Sequence, residues 1–344
     1  MSQSTDQSPD RPAGRTVPTS ADVARLAGVS RATVSYVLNN TSAVRISEPT
    51  RRRVREAAEE LGYVPHAAAR SLRAGHSRMV LMPSSHVPVG PLYSQFFNDL
   101  QWELRRLDYT VVQYGSVGLE GDDAARAWAE LRPVAVITAG EVDLTPAGVQ
   151  LLKRSGARAV FTYGTHRVEG AHAVIMAQDR VGEVATAHLV EGGRRRIGVV
   201  VPEEQGLAMF SAPRLDGARR AVEGTGATVV PLPLRYEEES AEALAGRWRE
   251  LGLDGVFAYN DEYAMLLMRA LQDAGISVPE ETAVIGADDL LLGRLLRPRL
   301  STVQIDMVVG RELAELVDRA VREPDDPPRA RTLLDSRVVR RESS

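Results

Sequence analysis

A short stretch near the amino terminus, residues 22–40, carries side chains of the types that read the edges of DNA bases. Three of them are expected to face outward from one helix: Arg31, Ala32 and Tyr36. An arginine can donate two parallel hydrogen bonds to a guanine, which distinguishes that base from the other three. The polar residues around them suit contacts with backbone phosphates. These are Ser30, Thr33, Ser35, Asn39 and, further along the chain, Arg51.

Two short helices joined by a tight turn are predicted to hold these side chains. Val23, Ala24 and Ala27 recur at helical spacing and indicate one buried edge. Gly28 suits the turn, because a positive φ is cheap only for glycine. Ser30 can then cap a second helix. A short second helix with small and polar outward residues is typical of a helix that enters a DNA major groove, although paired helices also occur in ordinary bundles.

A third helix and the charge distribution agree with this interpretation. Residues 48–61 predict a helix capped by Ser47 and stopped by Gly62. Residues 20–75 hold nine arginines against five acidic residues, whereas residues 76–344 hold 31 basic and 39 acidic residues. A basic head on an acidic body is expected where the head meets phosphate and the body does not.

The order Val-Ala-x-x-Ala-Gly-Val-Ser-x-x-Thr-Val-Ser in residues 23–35 closely resembles the lactose-repressor (LacI) family of bacterial transcription regulators. The segment Pro-His-Ala-Ala-Ala-Arg-Ser-Leu at residues 65–72 extends the resemblance, which covers nearly the whole chain after residue 19. It implies a helix-turn-helix DNA-binding domain at 20–64 and a hinge helix at 65–76 that orders on operator DNA. Leu72 would be the minor-groove wedge, and Ala69 is small enough for two hinge helices to approach closely. A plain linker is the alternative for this segment.

Composition describes a soluble globular chain of two to three folding units. It has 344 residues, of which 44% are hydrophobic and 26% charged. There is no cysteine, so disulfides and thiolate chemistry are excluded. No apolar run approaches the roughly 18 residues that a membrane helix needs. Residues 1–19 are polar, without the apolar core of a signal peptide, and predict a disordered tail. We therefore expect a cytoplasmic protein without membrane contact.

From residue 77, short apolar runs alternate with amphipathic helical patterns, which predicts an α/β fold with parallel sheets covered on both faces. The length predicts two doubly wound lobes. The resemblance implies a periplasmic-binding-protein-like effector-binding and dimerisation core at 77–344. We place one lobe at about 77–176 and 305–323, and the other at 177–304 and 324–344. The expected strands are 79–83, 110–114, 134–138, 159–163, 173–176, 197–201, 229–230, 255–259 and 283–286.

Ligands of open parallel sheets bind beyond the carboxyl ends of the strands. Residues there match effector-site motifs of the family, among them Arg-x-x-Gly at 214–217, and the resemblance assigns the effector to Tyr93, Asp179, Arg214, Asn260 and Asp288. The alternatives are that Asn260 and Asp288 only cap helices and that Arg214 forms a surface ion pair. Leu92 and Ala287 stand where the family often has aromatic residues, and only 5% of the chain is aromatic, which argues against a sugar.

The resemblance implies a homodimeric repressor that binds palindromic double-stranded operator DNA under the control of a small effector, a sugar or other metabolite. Whether the effector releases or tightens DNA binding stays open, as does an activator role. For an enzyme we find no Gly-x-Ser-x-Gly, P-loop or Gly-x-Gly-x-x-Gly motif, and the six histidines lack metal-ligand spacing. No catalytic residue, cofactor or metal is therefore expected. A solute-binding protein would share the core but needs an export signal and would not carry residues 22–40.

Overall fold

The computed structural model divides into two compact units, residues 1–77 and 78–344. It describes residues 17–38, 45–64, 77–84, 90–115, 118–139, 144–164, 167–204, 206–307, 310–332 and 334–344. The predicted hinge at 65–76 and most of the predicted tail lie outside these ranges. Within them, no helix has the length and apolar character needed to cross a membrane.

The first unit contains the three predicted helices, α1 (Ser20–Ala27), α2 (Arg31–Leu38) and α3 (Glu48–Glu60). Gly28 ends α1 with a φ of 65°, the left-handed conformation expected for the turn. The three helices enclose a small apolar core, in which the side chains alternate with exposed ones at helical spacing. Its buried members are Val23, Ala24, Ala27, Val34, Val37, Val54, Ala57 and Ala58.

The first lobe of the second unit is a six-stranded parallel sheet. Its strands are β1 (Met79–Ser84), β2 (Thr110–Gly115), β3 (Ala135–Ala139), β4 (Ala159–Gly164), β5 (His172–Ile175) and, from the carboxyl-terminal region, β11 (Ala330–Thr332). They lie in the order β2-β1-β3-β4-β5-β11. Its helices are α4 (Pro91–Arg106), α5 (Gly121–Glu130), α6 (Pro146–Arg154) and α12 (Gly310–Arg322). A Cβ on Gly310 would lie 2.4 Å from the Leu100 nitrogen, so glycine is needed where α12 meets α4.

The second lobe repeats this topology. Its strands are β6 (Arg196–Pro202), β7 (Thr228–Leu234), β8 (Gly255–Phe257), β9 (Ala283–Ala287), β10 (Ser301–Met307) and β12 (Leu334–Val339). They lie in the order β7-β6-β8-β9-β10-β12, and only β12 runs antiparallel to its neighbour. Its helices are α7 (Gln178–Glu191), α8 (Ala208–Ala221), α9 (Glu238–Gly246), α10 (Trp248–Leu251) and α11 (Asp261–Asp273), with a 3-10 turn at Leu291–Leu295. The predicted pair of doubly wound lobes is confirmed.

The chain passes between the lobes at different points from those we expected. Strand β10 stays in the second sheet as far as Met307, whereas we placed the return to the first lobe near residue 304. Strand β11 belongs to the first sheet, so the last passage lies between Thr332 and Leu334 and not near 323. Three residues with one apolar side chain give no periodic pattern, which explains why β11 escaped prediction.

Two strands of the second lobe also begin or end at residues different from those predicted. Strand β7 runs from Thr228 to Leu234 and contains Pro231 and Pro233, whereas we predicted a strand only at 229–230. It lies at the edge of its sheet, where proline is tolerated because one side needs no ladder hydrogen bonds. Strand β8 ends at Phe257, two residues before the predicted end, and the residues after it turn towards the site described below.

Helices α7 and α8 cross in close contact because each has a glycine at the crossing. A Cβ on Gly182 would lie 1.8 Å from the Arg214 carbonyl oxygen, and one on Gly217 would lie 1.8 Å from the Asp179 carbonyl oxygen. No side chain fits in either place. The glycine of the Arg-x-x-Gly motif therefore lets α8 approach α7, and this contact fixes the position of Arg214.

Candidate DNA-binding helix and ligand cavity

The predicted base-reading residues lie on one exposed face of α2. Arg31, Ala32 and Tyr36 are exposed, whereas Val34 and Val37 are buried in the core of the first unit. No described residue forms an ion pair with Arg31. In contrast, the neighbouring Arg25 of α1 is paired with Asp22 at 3.2 Å. Within the described part of the chain, the exposed guanidinium of Arg31 therefore has no charged partner.

The predicted phosphate contacts have mixed placements. The Thr33 N–H donates to Ser30 Oγ at 3.1 Å, and the two hydroxyls lie 2.9 Å apart, so this pair caps the amino terminus of α2 as predicted. Ser35 and Arg51 are partly buried at the surface of the same unit. Asn39, Ala69 and Leu72 lie outside the described residues, and their assignments stay predictions.

A cavity of about 140 Å³ opens in the second unit at the carboxyl ends of β6, β7, β8 and β9. We call it the ligand cavity. Glu204, Tyr236 and Tyr259 each stand two residues after the end of a strand, and Asp288 stands one residue after β9. Helix α4 of the first lobe closes the opposite side with Gly90 and Tyr93. The remaining lining residues are Leu207, Phe210, Arg214, Asn260, Glu262 and Tyr263.

Arg214 lies in the wall of the cavity and is only 3% exposed. Its Nε donates to Gln178 Oε1 at 2.7 Å and its Nη1 to the Tyr259 carbonyl at 2.6 Å. Its guanidinium carbon lies 4.8 Å from the centre of the Tyr259 ring. Gln178 in turn donates to the Tyr93 hydroxyl at 2.7 Å, which ties Arg214 to the first lobe. The alternative of a surface ion pair is therefore wrong for Arg214.

Aromatic side chains supply much of the cavity wall. The rings of Tyr93 and Phe210 are 5.2 Å apart, those of Tyr236 and Tyr263 are 5.2 Å apart, and Tyr259 meets Tyr263 edge to face at 5.4 Å. The low aromatic content of the chain is therefore no guide to this site, because composition averages over the chain while the fold concentrates these residues at the cavity. Aromatic faces of this kind also pack against the apolar faces of ligands.

Three carboxylates line the same cavity. Glu204 accepts hydrogen bonds from the Tyr263 hydroxyl and from the Tyr236 N–H. Asp288 has a φ of 101°, a strained backbone for a residue other than glycine. Its Oδ1 is buried and has no hydrogen-bond partner among the described residues. Burial raises the pKa of Asp288 above its ordinary value, the charge of Glu262 acts in the same direction, and Arg214 opposes them.

The adjacent Asn260 and Asp261 have structural roles that support the cavity. Asn260 Oδ1 accepts from the Tyr263 N–H at 3.0 Å, so it caps α11 as the alternative proposed, although it also lines the cavity. Asp261 is fully buried and accepts from the Thr302 hydroxyl at 2.6 Å and the Leu290 N–H at 2.7 Å. Burial raises the pKa of Asp261 to about 7. These bonds hold the loop that carries Asp288.

The structure brings together four of the five residues that we assigned to the effector, namely Tyr93, Arg214, Asn260 and Asp288. Asp179 is not among the lining residues. Its half-exposed carboxylate pairs with Arg220 at 2.6 Å on the outer surface of α7 and α8. Sequence reasoning missed the other polar and aromatic lining residues, which are Glu204, Phe210, Tyr236, Tyr259, Glu262 and Tyr263. Three of these follow strand ends by two residues, a signal that correct strand limits would have revealed.

Two family models match the chain. Residues 19–66 match the model of bacterial regulatory proteins of the lacI family, and residues 186–344 match a periplasmic binding protein-like domain. The transcriptional regulator GntR of Pseudomonas aeruginosa is 32% identical over 310 residues, which are 87% of this chain and 88% of that protein. The transcriptional repressor PurR of Vibrio atlanticus is 30% identical over 321 residues, covering 90% and 93%.

A solved structure of the transcriptional regulator CelR in complex with cellobiose has the same fold. It matches with a TM-score of 0.64 and 26% identity, and the match covers 95% of this chain and 100% of that one. The relatives above are similar over nearly their entire length, including both the helical head and the two-lobed core. The chain therefore belongs to the LacI family of bacterial regulatory proteins.

Proposed function

We propose that this chain is a sequence-specific DNA-binding transcriptional regulator, a repressor, whose affinity for operator DNA depends on a small molecule in the ligand cavity. The observation that carries the proposal is the presence, in one chain, of a LacI-type helical head that exposes Arg31 and of a lined cavity at the strand ends of a two-lobed core. The similarity to a protein named as a transcriptional repressor supports repression over activation. A DNA regulator of this kind acts in the cytoplasm.

In this proposal α2 reads base edges in the major groove. Arg31 is the main reader because its guanidinium is exposed and has no ion pair among the described residues, and Ala32 and Tyr36 share its face. The phosphates of the DNA backbone are contacted by Ser30, Thr33, Ser35, Asn39 and Arg51. Ala69 and Leu72 form the minor-groove contact of the hinge, outside the described residues.

The protein binds DNA as a homodimer, because one head reads only half of a palindromic operator. Leu291, Leu292 and Leu295 favour a paired surface on the core. All three are more than half exposed and project from a single 3-10 turn. A cluster of exposed leucines on a charged chain is typical of a surface that a second copy covers.

The effector, a sugar or other metabolite, binds between the lobes and changes their relative position. Tyr93 and Gln178 form the bridge across which such a change would pass, since their hydrogen bond links α4 to the start of α7 and to Arg214. A coupling of about 1–3 kcal/mol between the two sites would change operator affinity roughly 5- to 150-fold. The structure with cellobiose belongs to a related regulator and supports a sugar as one class of effector.

Fluorescence anisotropy with duplexes from the DNA that flanks this gene tests the proposal, with scrambled duplexes of equal composition as the control. We expect one flanking sequence to bind at least about 1,000-fold more tightly than the scrambled duplex at physiological salt. Affinity should also fall steeply with salt, because phosphate contacts release counterions. Equal affinity for every duplex would contradict the proposal and leave a solute-binding role for the core.

The same assay determines the polarity of control. If the ligand weakens operator binding, the protein is an induced repressor. If the ligand strengthens it, the protein is a repressor that depends on a co-repressor, or an activator. Transcription from the bound promoter in a purified system separates the last two.

A further inference from the structure

The ligand cavity has an unusual excess of negative charge for its size. Its lining contains three carboxylates, on Glu204, Glu262 and Asp288, against the single guanidinium of Arg214. None of these four groups forms an ion pair with a described residue. Glu204 and Glu262 accept hydrogen bonds from neutral groups only, so the described residues supply no paired cation to balance them.

Arg214 forms no ion pair with these carboxylates among the described residues, although its charge acts on Asp288. Its Nε and Nη1 donate to the neutral oxygens of Gln178 and Tyr259, and its planar face lies on the Tyr259 ring. An anionic ligand would therefore find at most one edge of the guanidinium open, while three carboxylates repel it. Placing a further negative charge in a buried site of this kind is strongly unfavourable.

Asp288 provides a second and independent observation. Its Oδ1 is buried at the cavity and receives no hydrogen bond from any described group. A buried carboxylate oxygen without a donor is destabilising, so such atoms normally meet a partner. The missing partner is a hydrogen-bond donor. Because burial raises the pKa of Asp288, a positively charged donor beside it would also stabilise the ionised carboxylate.

The aromatic wall also suits a cation. Rings of Phe210, Tyr236 and Tyr263 line the cavity beside the three carboxylates, and Tyr259 already has the Arg214 guanidinium on its face. Protonated amines bind well where carboxylates and aromatic faces converge, because both present negative potential. The cavity, of about 140 Å³, leaves room for a small-molecule ligand.

We infer that the effector is a small polyhydroxylated molecule that carries a protonated amino group, which binds beside Asp288 and Glu262, and that uncharged or acidic counterparts of the same size bind more weakly. This inference rests on the proposed effector site. It adds the charge of the ligand, which neither the fold nor the likeness to relatives specifies.

Matched ligand sets test the inference on the full-length protein. Glucose, galactose and mannose are each compared with their 2-amino-2-deoxy, N-acetylated and uronic acid forms by thermal shift and isothermal titration calorimetry. The titrations are made at about pH 6, below the pKa of such an amine. We expect at least one amino sugar to bind about 10- to 100-fold more tightly than its hydroxyl and N-acetyl counterparts. The uronic acids should bind most weakly of each set.

Two variants identify the residues responsible. Asp288→Asn removes the charge but keeps the backbone, since asparagine tolerates a positive φ. Glu262→Gln removes the second carboxylate. Either variant should reduce the ratio of amino-sugar affinity to neutral-sugar affinity at least about fivefold. The affinity for the uncharged sugar should change less. Asp179→Asn is the matched control, because it removes an exposed carboxylate of the same lobe that does not line the cavity, and the preference should persist.

Three results would overturn the inference. The first is a neutral or acidic sugar that binds at least as tightly as its amino counterpart. The second is an amine preference that persists in both Asp288→Asn and Glu262→Gln. The third is that no amino sugar in the sets binds. A neutral sugar that binds and changes operator affinity would refute this inference while supporting the proposed function, so the two can fail separately.

Discussion

The base-reading side chains that we propose on α2 lie within six consecutive residues, whereas the residues that line the cavity come from segments as far apart as Gly90 and Asp288. The side chains of Arg31, Ala32 and Tyr36 are exposed because the helix buries its opposite face. Those of the cavity meet because parallel strands end at one edge of a sheet. The proposed base-reading face thus depends on spacing within one helix, whereas the cavity depends on packing between distant elements.

The two regions should therefore respond differently to substitution. On α2, an exposed side chain can be removed without leaving a hole, so binding should change while stability does not. Around the cavity, positions that hold the elements together should affect folding first. Each prediction below tests one side of this difference.

The largest effect is expected at the crossing of α7 and α8. Gly217→Ala would bring a Cβ to 1.8 Å from the Asp179 carbonyl oxygen, which is backbone and has nowhere to move. We expect the core to lose about 3 kcal/mol of stability or more, or to fail to fold. Chemical denaturation followed by circular dichroism measures the loss.

Gly246→Ala is the control for that substitution. Gly246 also lies in a helix, at the end of α9, but a Cβ there would have no neighbouring atom within 4 Å. Alanine should leave stability unchanged or raise it by up to about 1 kcal/mol, because it favours the helical backbone. Equal effects of the two substitutions would show that the close approach of α7 and α8 is unimportant.

Sequence patterns over a few residues were sufficient to predict the three helices of the first unit. The turn at Gly28, the cap at Ser30 and the buried edge of Val23, Ala24 and Ala27 all depend on neighbours within a few residues. Val34 and Val37 share one face of α2 by helical spacing, which places Ala32 and Tyr36 on the opposite face. The three helices were predicted nearly to their ends for this reason.

The cavity was only partly predictable. The rule that ligands bind beyond strand ends located Arg214, Asn260 and Asp288, but strand limits decide which side chains project there. Pro231 and Pro233 concealed the length of β7, and with it the position of Tyr236. Tyr259 was taken as the end of a strand, although its φ of 53° turns it out of the sheet. Edge position and backbone conformation are properties of the assembled sheet, which a single sequence does not state.

The next largest effect concerns base reading by α2. Arg31→Ala should reduce operator affinity by about 1–3 kcal/mol, roughly 5- to 150-fold, because a bidentate contact with guanine is lost. Discrimination at one base pair of each half-site should disappear, while the melting temperature stays the same. Fluorescence anisotropy against operators substituted at each position measures both quantities.

Arg25→Ala provides the comparison for Arg31. Arg25 is an exposed arginine of the same unit, but it lies on α1 in an ion pair with Asp22. Its removal should leave discrimination between base pairs unchanged. Loss of discrimination in Arg25→Ala, or its retention in Arg31→Ala, would contradict the assignment of α2 as the reading helix.

A smaller effect is expected from Asp261, which supports the cavity from below. Burial raises its pKa from 3.8 to about 7 in the folded chain, so the folded state binds more protons than the unfolded state between these values. Stability from this group is therefore lost as pH rises from about 4 to 7. Asp261→Asn can accept from the Leu290 N–H and donate to Thr302, and it removes the titration.

Denaturation of wild type and Asp261→Asn across this pH range tests that expectation. The difference in unfolding free energy should move in favour of the variant by on the order of 1 kcal/mol or more between about pH 4 and pH 8. Asp179→Asn removes an exposed carboxylate whose ion pair is worth about 1 kcal/mol at most. A difference curve for Asp261→Asn as flat as that of this control would refute a buried titrating role.

The smallest effect separates backbone contact from base reading within the head. Arg51 lies in the first turns of α3 and makes no ion pair with a described residue, whereas Arg52 beside it is paired with Glu56 at 3.7 Å. If Arg51 contacts a phosphate, Arg51→Ala should weaken all duplexes alike and reduce the slope of log affinity against log salt by about one. Arg52→Ala serves as the control. A change confined to one base pair would instead make Arg51 a reader, and the chemistry of DNA recognition would no longer be restricted to α2.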